Sequence, residues 1–121
     1  MEEPRNKSFH DELKTIIDQF VHGVYDATKD FPKDELFGIT SQLRRAALSV
    51  ALNYIEGYAR QRSAVTKNFF EIAYGSLKES DYLLVFARKR GFMGEKSADE
   101  LVKLADRIGG MLWSTIKKIK V

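Results

Sequence analysis

The chain has no cysteine among its 121 residues, which excludes a disulfide scaffold, a thiolate metal site and a cysteine nucleophile. Histidine is nearly as scarce. His10 and His22 leave almost nothing for zinc or for a Ser-His-Asp triad. Two prolines and 8 glycines leave few breaks, which favours long helices. No run approaches the roughly 20 apolar residues a membrane span needs, so no membrane partner is expected. The start, Met1-Glu2-Glu3-Pro4, is acidic and lacks the apolar stretch of a signal peptide, and the expected location is the cytoplasm. Charge is nearly balanced, with 20 basic against 17 acidic residues and a net charge of +3. That excess permits an anionic partner without demanding one. What remains is ordinary for a globular protein, 44% hydrophobic and 31% charged. The length fits one domain, residues 1–121, which buries roughly two-thirds of its unfolded surface on folding.

Apolar periodicity predicts four helices and supports no strand. Phe9, Leu13, Ile16, Ile17, Phe20, Val21 and Val24 share one face of a first helix over 8–29, with Ser8 as its N-cap. Phe31-Pro32 breaks that pattern, because the residue before proline is pushed out of α geometry. A short turn over 32–37 follows, and Gly38 ends it. Thr40 is the expected cap of a second helix over 40–60, and Ser63 that of a third over 64–90, closed by Gly91. Ser97-Ala98-Asp99-Glu100 reads as a capping box that opens a fourth helix running to Lys120. Its stripe is Leu101, Leu104, Ala105, Ile108, Leu112, Thr115 and Ile116. Short connections between long helices make antiparallel neighbours. The expected fold is all-α, an antiparallel up-down-up-down four-helix bundle.

The second helix is unusual. Gln42, Arg45, Ser49, Asn53, Glu56 and Arg60 form one narrow polar stripe, and most of the remaining circumference is apolar or small. A single bundle does not easily bury so much of one helix. The third helix has a core stripe of Val65, Phe69, Ile72, Ala73, Ser76, Leu83, Leu84 and Ala87, and a second stripe of Gly75, Glu79, Tyr82 and Phe86. Together these predict a second buried surface, used for self-association through helices two and three. Antiparallel register sets Arg45 level with Lys78 and Glu79, and Ser49 level with Gly75, which brings an Arg45–Glu79 ion pair within reach. In the fourth helix Gly109-Gly110 suggests close approach of another helix. Trp113 lies off the core stripe, either covering the bundle edge or meeting another subunit.

Catalytic machinery is not expected. No Glu-x-x-His pair, Walker-type sequence or Gly-x-Gly-x-x-Gly is present, so neither a bundle di-iron site nor a phosphate loop is available. Glu56 and Glu79 have no nucleophile or metal beside them. No catalytic residue, cofactor or metal is therefore assigned. The bundle topology instead gathers Arg5, Lys7, Arg60, Arg62, Lys67, Lys117, Lys118 and Lys120 at one end. Of these, Arg60, Arg62, Lys67, Lys117, Lys118 and Lys120 are the candidate nucleic-acid contacts.

The stretch from Phe31 to Arg90 carries Phe31-Pro32-Lys33, Glu35, Gly38, Ser41-Gln42-Leu43-Arg44-Arg45-Ala46-Ala47, Ser49-Val50, Asn53, Glu56-Gly57, Arg60, Phe70, Ala73, Gly75-Ser76-Leu77 and Glu79. In this it resembles a bacterial four-helix-bundle family that includes proteins encoded in intervening sequences of large-subunit ribosomal RNA genes. The resemblance implies an antiparallel four-helix bundle, a homopentamer and no enzymatic activity. Related bundles are accessory proteins to the reverse transcriptases of diversity-generating retroelements. RNA or DNA, and a reverse transcriptase or another nucleic-acid-associated protein, are therefore the implied partners. Family members often read Ser-Ile-Pro-Ala-Asn-Ile-Ala-Glu-Gly where this chain has Ser49 to Gly57 without proline, which predicts a straight second helix here. The functional expectation is a non-catalytic oligomeric bundle that contacts nucleic acid or a nucleic-acid-associated partner through its basic end. The alternative is a protein-interaction scaffold or accessory subunit without nucleic-acid binding.

Overall fold

The computed structural model describes residues 7–121, with the side chain of Lys7 outside the description. The described residues form four long helices and no strand. Helix α1 spans Lys7–Thr28, α2 Ser41–Tyr58, α3 Ser63–Lys89 and α4 Glu95–Lys118. Each packs on its sequence neighbour, and α1 closes the ring against α4. This is the antiparallel four-helix bundle expected from the periodicity. Its core holds Leu13, Phe20 and Val24 of α1, Leu43, Val50 and Tyr54 of α2, Leu77 and Leu84 of α3, and Ile108 and Leu112 of α4. Helix α2 runs unbroken from Ser41 to Tyr58, a stretch without proline.

The helix ends differ from expectation in instructive ways. Ser8 lies inside α1 rather than at its cap. Pro32 precedes a short helical stretch that opens as a 3₁₀ turn at Lys33–Glu35. Gly38 ends that stretch as expected, its non-helical backbone (φ −107°, ψ −116°) kinking the path into α2. Thr40 stands at the start of α2 in helical geometry with its buried hydroxyl unpartnered, so it caps nothing. Ser63 is already the first residue of α3. The box at Ser97 is not used either. Helix α4 starts at Glu95 behind Gly94, and the earlier start brings Ala98 into the interior.

The end of α3 is as expected. Gly91 adopts φ +76°, a conformation that glycine reaches without a Cβ penalty. Phe92 N–H donates to Ala87 O at 2.9 Å and Gly91 N–H to Arg88 O at 3.0 Å. That pair of bonds closes the last turn in a Schellman motif. Phe92 is thereby delivered against buried Phe31, with ring centroids 5.8 Å apart.

Candidate functional site

Of the polar stripe of α2, Ser49 and Asn53 lie at the seam with α3, while Gln42, Arg45, Glu56 and Arg60 are exposed. Ser49 Oγ and Ser76 Oγ share a hydrogen bond of 2.7 Å. Asn53 Nδ2 donates to Ser49 Oγ and to Ser49 O, each at 2.9 Å. The register is thus one residue off the sequence expectation, with Ser49 beside Ser76 rather than Gly75. Arg45 and Glu79 are both exposed and form no ion pair among the described residues. Glu56 pairs with Arg60 on its own helix at a half-exposed position. Arg44, not Arg45, holds the fold at this motif. Its Nε donates to Thr28 Oγ1 at 2.7 Å and its guanidinium lies 4.8 Å from the Tyr25 ring centroid. That pins the start of α2 to the end of α1.

With Ser49 and Asn53 at the seam, α2 shows water an apolar outer face of Leu48, Leu52 (58% exposed) and Ile55. Beside it α3 exposes Ile72, Tyr82 and Phe86, with Gly75 and Glu79 exposed among them. The second stripe read from the sequence is therefore an outer surface of the single chain. The core stripe of α3 needs correction. Phe70 and Leu77 are interior, while Ile72 is exposed and Val65 and Phe69 are half-buried. The kinked turn before α2 adds Phe37, 92% exposed.

The six candidate cations do fall at one end of the bundle. Arg60 and Arg62 lie at the α2–α3 turn, Lys67 in the second turn of α3, and Lys117, Lys118 and Lys120 at the close of α4. Arg60 is already engaged, by Glu56 and by the Phe69 ring 5.3 Å away. The other five make no ion pair among the described residues. Arg5 and the Lys7 side chain lie outside the described residues. Glu12 at this end pairs with Arg107.

Several features escaped sequence reasoning. His10 Nδ1 and Tyr54 Oη share a 2.7 Å hydrogen bond, and Tyr54 stacks on Phe70 with centroids 5.0 Å apart. Burial, then the neighbouring Tyr58 and Asp11, push the Tyr54 hydroxyl pKa above its ordinary value. Gly57 is buried where α2 and α3 approach closely. It sits in the last turn of α2, one residue before the helix ends. On the opposite flank Trp113 and Tyr74 form a ring pair, centroids 5.3 Å apart. No group of three or more potential metal ligands occurs among the described residues, and none of the described helices is long and apolar enough to cross a membrane.

A small antiparallel bundle with a serine-asparagine seam, an apolar outer face and a cationic end defines the class of protein. The chain belongs to the 23S rRNA-intervening sequence protein family, whose model matches residues 14–114. The fold is similar to the solved structure of a protein of unknown function from the S23 ribosomal protein family of Bacteroides thetaiotaomicron. The TM-score is 0.81 at 20% identity, over 88% of this chain and 99% of that one. No curated protein matches the chain.

Proposed function

We propose that this chain is a non-catalytic bundle that assembles into a homo-oligomer and contacts nucleic acid through its basic end. The observation that carries the nucleic-acid reading is the placement of Arg62, Lys67, Lys117, Lys118 and Lys120 at one end without an ionic partner among the described residues. Lysines at a helix C-terminus also complement its dipole, which accounts for Lys117 and Lys118 alone. It does not account for Arg62 and Lys67, which lie near the N-terminus of α3. Arginine grips phosphate in a fork and lysine acts as a point charge, so the contact is with backbone phosphate and carries little sequence preference.

The apolar outer face of α2 and α3 supports assembly, because large exposed apolar residues gathered on neighbouring helices mark interaction surfaces. Five copies is the number the family resemblance implies. A ring multiplies the net charge of +3 and turns weak contacts into collective ones. The same apolar face favours a second reading, in which it holds a protein partner such as a reverse transcriptase and nucleic acid is not bound. Titrating labelled RNA and DNA at two salt concentrations separates the two. Affinity that falls steeply with salt is expected, since each neutralised phosphate releases counterions. Absence of binding at low salt by the intact protein leaves the scaffold as the better account.

A further inference from the structure

We infer that the α3–α4 flank beside the basic end is a stacking platform for the bases of single-stranded nucleic acid, with Trp113 as its centre. This inference rests on the nucleic-acid reading above and specifies the kind of strand. Trp113 is 48% exposed although its ring packs on Tyr74, so one aromatic surface is held in place while another meets water. Lys78 Nζ lies 5.2 Å from the centroid of Tyr74, which sets a cation at the edge of the ring pair. One turn before Trp113, Gly110 has no side chain, and a Cβ built there would meet nothing within 4 Å. The approach along α4 is therefore open.

The α3–α4 register continues the cations from this platform to the basic end. Tyr74 opposes Trp113, and Arg88 pairs with Asp99 about four turns away. The same antiparallel spacing sets Lys117 level with Phe70 and Lys120 level with Lys67. Lys78 and Lys117 thus lie one turn from the ring pair on either side, with Glu71 as the carboxylate at the same distance, and Lys67 and Lys120 follow two turns away toward the basic end. Asp81 and Asp106 begin two turns away, toward the other end. Exposed aromatic rings interleaved with cations suit a strand whose bases are unstacked, since every base has a π-face and its phosphates follow the positive groove. A duplex keeps its bases stacked on each other and offers the indole nothing to stack on.

Trp113 is the chain's single tryptophan, so its emission reports this place alone. The test titrates the wild-type protein with a single-stranded oligouridine and with a duplex RNA of equal length, following indole fluorescence. Saturable quenching by the single strand, and weaker quenching by the duplex, is expected. Trp113→Leu should weaken single-strand binding by about tenfold without changing the slope of log affinity against log salt, because stacking releases no counterions. Trp113→Phe should recover most of that loss. Lys117→Gln should instead reduce the salt slope. Binding with an unresponsive indole, or equal affinity of Trp113→Leu, overturns this inference and leaves the basic-end reading standing. A change in oligomer mass on Trp113→Leu also overturns it, by placing the indole in a subunit contact. No binding at low salt by the wild type removes both.

Discussion

A Cβ on Gly57 would stand 2.7 Å from two ring carbons of Phe70, whereas one on Gly110 would meet nothing within 4 Å. Gly110 sits in the interior of α4 and Gly57 in the last turn of α2, helical positions where replacing glycine by alanine ordinarily gains up to about 0.5–1 kcal/mol. Gly57→Ala should nevertheless lose about 1–3 kcal/mol, because Phe70 is buried against Tyr54 and cannot retreat. Gly110→Ala should keep the ordinary gain, and urea unfolding of the two variants checks the contrast. Tyr54 gives a pH signature at the same scale. Its native pKa lies above the unfolded value of 10.0, so the native state holds the proton more tightly. The contribution is complete below that unfolded value and is lost as pH rises past it. The melting temperature should therefore fall between about pH 9 and pH 11 more steeply for the wild type than for Tyr54→Phe. At neutral pH that variant should lose about 0.5–1.5 kcal/mol with its bond to His10.

Among the elements, α3 shows why a helix can be legible while its facing is not. Phe69 and Phe70, and Ile72 and Ala73, are adjacent apolar pairs, so two stripes about 100° apart both satisfy a 3.6-residue period. Phe70 and Ala73 face inward, while Ile72 belongs with the outer surface. The pattern carries two apolar faces superimposed, and periodicity does not separate them. The number and order of the helices, the closure at Gly91 and the gathering of cations at one end were legible, since they follow from spacing and topology. Pairing was not. Glu56 is joined to Arg60 one turn away, a contact that depends on rotamers rather than on register. Glu56→Ala should therefore cost only about 0.2–0.5 kcal/mol in thermal or chemical unfolding. The start of α4 makes a similar point. Ser97 is exposed within the first turn of α4, which starts at Glu95 behind Gly94. Ser97→Ala should change stability by less than about 0.5 kcal/mol, below the typical cost of losing a true cap.

At the scale of the whole molecule, the apolar face of α2 and α3 and the cations at the bundle end are linked through assembly. Leu48, Leu52 and Ile55 recur at spacings of four and three on α2, beside Ile72, Tyr82 and Phe86 on α3. Their side chains take no part in the bundle core, so changing one of them tests association with little effect on the monomer fold. Leu52→Glu sets a charge in the middle of this face, next to the Ser49–Asn53 seam but outside it. Burying that carboxylate between subunits would leave it unpaired, which costs several kcal/mol per ion, whereas in a free bundle it stays in water. Light scattering at micromolar concentration should read a multiple of 13.9 kDa for the wild type and a value near one chain for Leu52→Glu. Circular dichroism should remain that of the wild type. RNA affinity should fall along with the mass, because each bundle then offers one basic end instead of several at high local concentration. A wild-type mass of a single chain would sink the assembly argument. Full RNA affinity in a monomeric Leu52→Glu variant would separate assembly from binding and show that one basic end suffices.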